Sequence, residues 1–375
     1  MNIAINLLPF TQNLAGAGKY AKYVTHNLVK EDQHNHYVLF LTRFGAEQFS
    51  DLFHASNVRV VFCNVDNRNY VKRILWEQFV LPFQLRLHSI DVLFTPSVAI
   101  PFLYRGRMVT SIHDIAYVSQ KEKYPWLRRL YVRLVTYIAA HRSDKILTLT
   151  DFSKNEIVRH FSLPSEKISV TYCGVEDNFY EPSTAVAELE VQQRYQLPEQ
   201  YILYVGAIEP GKNLPMVFNV FRRICESSAN KLSLVLTGGI GWKKDIILQQ
   251  MPQSIQERVK ILPYLTESEL PILYRLSHMV LYISPYEGFG LPVLEGMACN
   301  VPVVASHGTA IKEFATGAAL LIDPLDEDKI FDAVHQVLSD NSVRNGLVAA
   351  GKERARIYTW KKTSDIVLKE LLTYE

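Results

Sequence analysis

The residues best placed to do chemistry lie in one segment, Ser284-Pro-Tyr-Glu-Gly-Phe-Gly-Leu-Pro-Val-Leu-Glu-Gly-Met-Ala298. An apolar β-type run ends at Ser284, a glycine-rich turn follows, and Pro292 sits in the first turn of an expected helix. Free backbone N–H groups and the positive end of the helix dipole make such a start a site for phosphate. Gly288 and Gly290 let a ligand approach the backbone without interference from a Cβ. Glu287 precedes the turn and Glu295 lies about one turn into the helix, so an ionised carboxylate flanks the anion site on each side. Carboxylates are strong acceptors and suit sugar hydroxyls. The plainer reading is a capped strand–helix junction whose acids complement the dipole. Two further residues depend on context. Lys212 follows a strand and a turn, where a lysine can neutralise charge developing on a leaving phosphate or can simply be solvated. His113 ends the apolar run from Met108 to Ile112, a place where a lone histidine is more often structural.

The elements that must position these residues alternate regularly. Ile3 to Leu8, Tyr37 to Leu41, Val58 to Phe62, Val92 to Thr95, Met108 to Ile112 and Ile146 to Leu149 read as strands. Between them Lys19 to Val29, Val71 to Leu87 and Trp126 to His141 have helical periodicity. After a Gly-, Pro- and acid-rich lapse a second series begins with Tyr201 to Val205, Ser233 to Thr237, Val259 to Leu262, Met279 to Ile283, Val301 to Val304 and Ala319 to Ile322. Strands alternating with helices mean parallel sheets. At 375 residues the length also favours two domains. The expected organisation is an N-terminal domain over 1–173, a second over 174–358, and a closing helix within 359–375 that packs back toward the first. Ligands of such sheets bind at the carboxyl ends of strands.

The Glu287-x7-Glu295 segment closely resembles the signature of retaining glycosyltransferase family 4. Tyr204-Val-Gly-Ala-Ile-Glu-Pro-Gly-Lys-Asn213 is similar to that family's donor-diphosphate loop. Ser111-Ile-His-Asp114 resembles its histidine-bearing strand end, and Gly16-Ala-Gly-Lys-Tyr20 its N-terminal glycine loop. The resemblance spans nearly the whole chain. It implies the GT-B fold, in which two doubly wound Rossmann-like α/β domains face each other across a cleft, and a nucleoside-diphosphate sugar, GDP- or UDP-linked, as donor. It implies catalytic roles for His113, Glu287 and Lys212. His113 would contact the transferred sugar and Lys212 would neutralise the diphosphate. The donor side would comprise Gly16, Gly18, Gly206, Lys212, Tyr264, Leu265, Glu287, Gly288, Phe289, Gly290, Leu291 and Glu295, with Glu295 accepting from ribose hydroxyls. The implied reaction is metal-independent, cofactor-free transfer of a mannose- or glucose-type hexose to a saccharide or lipid-linked acceptor.

Two departures from the pattern stand out. Many members carry arginine after the loop glycine, where this chain has Ala207, and others carry it before the lysine, where this chain has Gly211. Lys212 is left as the motif's only cation, unless Lys243, Lys244 or a residue of the N-terminal domain substitutes. The loss keeps a second reading open, a GT-B scaffold or regulatory subunit with little or no activity. A third and remote one is an NADPH-dependent oxidoreductase, because Gly16-x-Gly18-x-x-Ala21 has dinucleotide-fingerprint spacing. The turn from Leu8 to Gly16 is too long for that motif. Asp326-Glu-Asp328 resembles a metal-binding D-x-D triplet but stands at a helix start, where acids are favoured as caps.

Charge divides the chain. Met1 to Tyr180 holds 21 Lys+Arg against 15 Asp+Glu, net +6, and Glu181 to Glu375 holds 19 against 23, net −4. Within the basic half, Lys121 to Val135 is rich in aromatic and basic residues. Its apolar residues are expected to pack on the sheet, while Arg128, Arg129 and Arg133 could meet an anionic membrane. The basic residues form no long stripe, so nucleic acid is a poor partner. The four scattered cysteines form no framework, and Met1 to Gly18 has neither a basic start nor an unbroken apolar core. The expected setting is cytoplasmic, peripheral at the inner face of the membrane.

Overall fold

The computed structural model of the chain describes residues 1–11, 14, 16–66, 69–120, 125–227, 231–239 and 241–373. Lys121 to Tyr124, the beginning of the basic aromatic stretch, lie outside the described residues. The chain forms two compact units. One comprises Met1–Ser119, the chain from 125 to Gly174, and the closing segment from Thr359. The other is built on Val175–Tyr358.

The first unit carries β1 (Asn2–Asn6), β2 (His36–Leu41), β3 (Val58–Phe62), β4 (Val92–Thr95), β5 (Arg107–Ser111), β6 (Lys145–Thr148) and β7 (Ile168–Val170). Among the described residues these make one parallel sheet in the order β3-β2-β1-β4-β5-β6-β7. Its central strands are buried on both faces, as helices on either side of a parallel sheet require. The second unit carries β8 (Tyr201–Val205), β9 (Ser233–Thr237), β10 (Val259–Ile261), β11 (Met279–Tyr282), β12 (Val303–Ser306) and β13 (Leu320–Ile322). These pair in parallel as β10-β9-β8-β11-β12-β13. Strand order therefore reverses between β1 and β4 in one sheet and between β8 and β11 in the other. Loops leaving the carboxyl ends of strands diverge at such a point and open a crevice.

Two features differ from the sequence reading. The three residues of β7 form an edge strand that is too short to register as an apolar run. The helical stretch from Val71 to Leu87 is two helices, Tyr70–Phe79 and Leu81–Leu87, separated at Val80 with Pro82 in the first turn of the second. The closing helix Trp360–Leu372 belongs to the first unit. The Trp360 and Tyr23 rings stack at 5.3 Å, the Lys145 ammonium meets Glu370 at 3.1 Å, and the Ser169 hydroxyl donates to Glu370 at 2.6 Å.

Candidate active site

In the second unit the loop after β8 turns back on itself and is stapled to the end of β11. Asn213, with φ +57°, donates from Nδ2 to the carbonyls of Ile283 (3.2 Å) and Pro324 (2.7 Å). The Ser284 hydroxyl donates to the Gly211 carbonyl at 3.2 Å. These bonds bring together side chains 75 residues apart in sequence. Lys212 Nζ lies 2.6 Å from Glu287 Oε1, with both side chains about nine-tenths buried (12% and 11% exposed). The Tyr282 hydroxyl donates to the same oxygen at 2.8 Å and accepts from Lys212 Nζ at 3.3 Å. Burial alone would push the Lys212 ammonium below its usual range. The Glu287 carboxylate outweighs it, and the lysine is held above that range, fully protonated.

The turn beyond Glu287 is built for close approach. Gly290 has φ +105°, and a Cβ there would lie 2.7 Å from Ile311 Cγ1, so only glycine fits. Helix Leu291–Ala298 begins immediately after it. Phe289 is 4% exposed and stacks on Phe314 at 4.8 Å, so its side chain anchors the turn while its backbone stays in the loop. Gly288 and Leu291 are buried alongside it. Glu295 points into the unit, 2% exposed, and its Oε2 accepts from the Tyr274 hydroxyl at 2.8 Å. On the other side of β8, Gly206 N donates to the Thr237 carbonyl and Ile208 N to the Gly239 carbonyl, packing the loops after β8 and β9 together. Leu265 is buried and Tyr264 is half exposed, both following β10.

The first unit holds the remaining residues singled out by sequence. His113 follows the end of β5. Its Nε2 lies 3.1 Å from the Pro96 carbonyl at the end of β4, and its ring meets Tyr20 edge-on at 4.8 Å. A carbonyl can only accept, so Nε2 carries the proton and Nδ1 is the acceptor nitrogen of the neutral ring. Burial lowers the His113 pKa below the usual histidine value, which keeps that neutral form at pH 7. Gly16 and Gly18 occupy the first turn of helix Gly16–Glu31. A Cβ on Gly18 would lie 2.8 Å from Leu14 Cδ2, whereas Gly16 faces open space.

Asp326 is the N-cap of helix Glu327–Ser339 and accepts from Lys329 N at 3.0 Å, while Glu327 and Asp328 pair with Arg223. That triplet is a cap, as its position in the sequence suggests. The basic stretch departs from expectation. In helix Trp126–Arg142 only Val135, Thr136, Ala139 and Ala140 are buried. Trp126 (72% exposed), Leu127, Leu130, Leu134 and Tyr137 face outward along with Arg128 and Arg133, and Arg129 is half-buried. The face turned inward is the one bearing Val135, Thr136, Ala139 and Ala140, so most of the apolar residues expected on the sheet are at the surface.

Sequence reasoning missed Tyr282 and Tyr204 as site residues. Both lie in apolar strand runs and look like ordinary core tyrosines. The available signal was that Tyr204 opens the quoted diphosphate-loop segment and Tyr282 stands two residues before Ser284.

Two parallel sheets of this order have the GT-B fold. A crystal structure of Anabaena Alr3699/HepE in complex with UDP-glucose superposes with a TM-score of 0.78 over 100% of both chains at 16% identity. Sucrose-phosphate synthase from Thermosynechococcus elongatus superposes at 0.79, also over 100% of both chains and at 16% identity. The chain belongs to glycosyltransferase family 4. The profile described as Glycosyltransferase Family 4 matches residues 14–179, and Glycosyl transferases group 1 matches 187–354. The O-antigen chain mannosyltransferase B of Escherichia coli is 35% identical over 257 residues, covering 68% of this chain and 67% of that protein. The O-antigen chain mannosyltransferase RfbU of Salmonella typhimurium is 25% identical across 80% of this chain and 81% of its own length. The protein is a glycosyltransferase.

Proposed function

We propose that the chain transfers a mannose- or glucose-type hexose from a GDP- or UDP-linked sugar to a saccharide or lipid-linked acceptor, with retention of configuration, in bacterial-type polysaccharide or glycoconjugate assembly. The carrying observation is the Lys212–Glu287 pair beside the Gly288–Leu291 helix start, in a chain 35% identical to an O-antigen mannosyltransferase. Mannose is favoured as the sugar on the same similarity. Lys212 and the backbone N–H groups of Gly288 to Leu291 would take the diphosphate. Glu287 would meet the sugar near its reacting carbon, Glu295 the ribose, and Gly206, Tyr264 and Leu265 the remaining nucleoside. His113 Nδ1 would accept from a sugar hydroxyl, and Gly16 and Gly18 would give a phosphate close approach to the backbone. The acceptor proton would pass to the leaving phosphate. No metal is needed in this scheme, because Lys212 and the helix start supply the positive charge.

The same reading puts the protein at the cytoplasmic face of a membrane. Helices Tyr70–Phe79, Leu81–Leu87 and Trp126–Arg142 carry seven arginines and lysines and a single acid, Glu77, which is buried. Val71, Leu75, Phe79, Phe83 and Leu87 recur every four residues and are all exposed. An apolar stripe edged by arginines suits an anionic bilayer. Among the described residues no helix is long and apolar enough to cross one.

The test is a panel of GDP-mannose, UDP-glucose, GDP and UDP, scored by thermal shift and turnover with EDTA present, with NMR of the product anomer. An axial product from an axial donor, formed in EDTA, is the expected result. No shift and no turnover with any of them would overturn this reading and favour the scaffold.

A further inference from the structure

The Lys212–Glu287 pair poses a problem that the proposed function makes explicit, and the inference here rests on that reading. Lys212 has one charge. When it turns to a diphosphate it leaves behind a carboxylate whose side chain is only 11% exposed. A buried ionised group without another donor is strongly disfavoured and tends to take up a proton. Glu287 already has a second donor. The Tyr282 hydroxyl reaches Oε1 at 2.8 Å and is also within 3.3 Å of Lys212 Nζ, so it touches both members of the pair. Tyr282 is the last residue of β11, 2% exposed, and its ring stacks on Tyr204 of the neighbouring strand β8 at 6.0 Å and 27°. Strand geometry and the stack on Tyr204 fix where the hydroxyl points.

We propose that Tyr282 is a positioning residue for Glu287, holding Oε1 in place and ionised while Lys212 is released to the donor diphosphate. The hydroxyl donates throughout and no proton is transferred. Burial, and then Glu287 itself, raise the Tyr282 pKa well above that of an ordinary tyrosine, so it remains a donor at any working pH. Lys212 exchanges one oxygen partner for another, and the carboxylate keeps the charge-assisted hydrogen bond from Tyr282.

The test compares the whole chain with its Tyr282→Phe and Tyr201→Phe variants, with GDP-mannose or whichever nucleotide sugar the wild type turns over, from pH 5 to 9. Tyr201 is the control. Its hydroxyl is also buried and donates to the Leu273 carbonyl at 2.7 Å, in the same sheet but away from Glu287. Tyr282→Phe should lower kcat about tenfold with donor KM within about twofold, and the acid limb of the kcat profile should move up by about one pH unit. Tyr201→Phe should leave the limb where it is. An unshifted limb in folded Tyr282→Phe, or equal shifts in both variants, overturns the proposal while leaving the donor reading intact. A wild type that neither binds nor turns over a nucleotide sugar overturns both. Should Tyr282→Phe not fold, 3-fluorotyrosine incorporated at Tyr282 keeps the ring and strengthens the donor. The limb should then move down, and an unchanged limb refutes the role.

Discussion

Glu295 and Tyr274 close a hydrogen bond inside the second unit, the hydroxyl donating to Oε2 at 2.8 Å with the carboxylate 2% exposed. The acid proposed for the ribose is thus aimed by a buried tyrosine from helix Glu269–Leu276. Tyr274→Phe should remove this hydrogen bond to Glu295 and cost about 1–3 kcal/mol of stability. Donor Kd should rise more than kcat falls, since the ribose lies away from the reacting carbon. Urea denaturation and calorimetric titration with the nucleoside diphosphate measure the two effects. Unchanged affinity would separate Glu295 from the ribose.

Restoring an arginine to the diphosphate loop should depend on where it is put. Gly211 has φ +93°, a region that side chains with a Cβ rarely adopt. Gly211→Arg should therefore lower stability by about 1 kcal/mol or more and weaken donor binding, despite the added charge. Ala207→Arg carries no positive φ and should be tolerated. A Gly211→Arg protein as stable as the wild type, by thermal melt, would contradict this account of the missing cation.

Removing Glu287 should disturb more than chemistry. Glu287→Ala leaves the Lys212 ammonium buried without its carboxylate, a loss on the order of 3–5 kcal/mol for pairs of this burial. Glu287→Gln keeps the shape and an acceptor oxygen. It should fold more stably than the alanine variant while losing most transfer. Near-normal turnover by Glu287→Gln would remove the residue from the reaction.

Glu77 gives the first unit a pH dependence. Burial raises its carboxyl to about 7 from an ordinary 4.5, against opposing contributions from Arg73 at 3.3 Å and from Asn6. A folded pKa above the unfolded one means the folded chain binds more protons between them. This contribution is complete below about 4.5 and is lost as pH rises through about 7. The shift corresponds to at most about 3 kcal/mol. Glu77→Gln should match the wild type near pH 4.5 and exceed it at pH 8 in urea midpoints. Parallel pH profiles for the two proteins would show the group to be ionised throughout.

The outward stripes of the first unit should govern association with lipid. Phe79→Ser with Phe83→Ser, and separately Arg128/Arg129/Arg133→Ala, should each reduce co-sedimentation with vesicles rich in phosphatidylglycerol. Only the arginine variant should lose its sensitivity to salt. Equal binding by all three proteins would assign the stripes another occupant.

Much of this architecture was legible because parallel strands, covered on both faces, read as unbroken apolar runs. Tyr201 to Val205 and Met279 to Ile283 are found within a residue of their expected ends. The glycine turn from Gly288 to Gly290 was equally visible, since few other reasons exist for glycines between a strand and a proline-led helix. Periodicity misled at Val71 to Leu87. A four-residue repeat defines one face of a helix without saying which way it looks, and this one looks outward. It also runs smoothly through Val80, whose αR backbone hides the break between two helices. The closure of Lys212 on Glu287 could not be read at all. It depends on Asn213 and Ser284 tying two loops together, a relation between distant segments that no local pattern encodes.

The closed lysine–glutamate pair also affects how quickly the site can be found. With +1 and −1 only 2.6 Å apart, the pair presents a dipole, whose field falls away much faster than that of a bare ammonium. An incoming dianion would feel little long-range pull from Lys212 and would be drawn instead by the helix start at contact distance. Donor capture should therefore be slow for a charged ligand and nearly indifferent to ionic strength, with recognition deferred until the pair has opened.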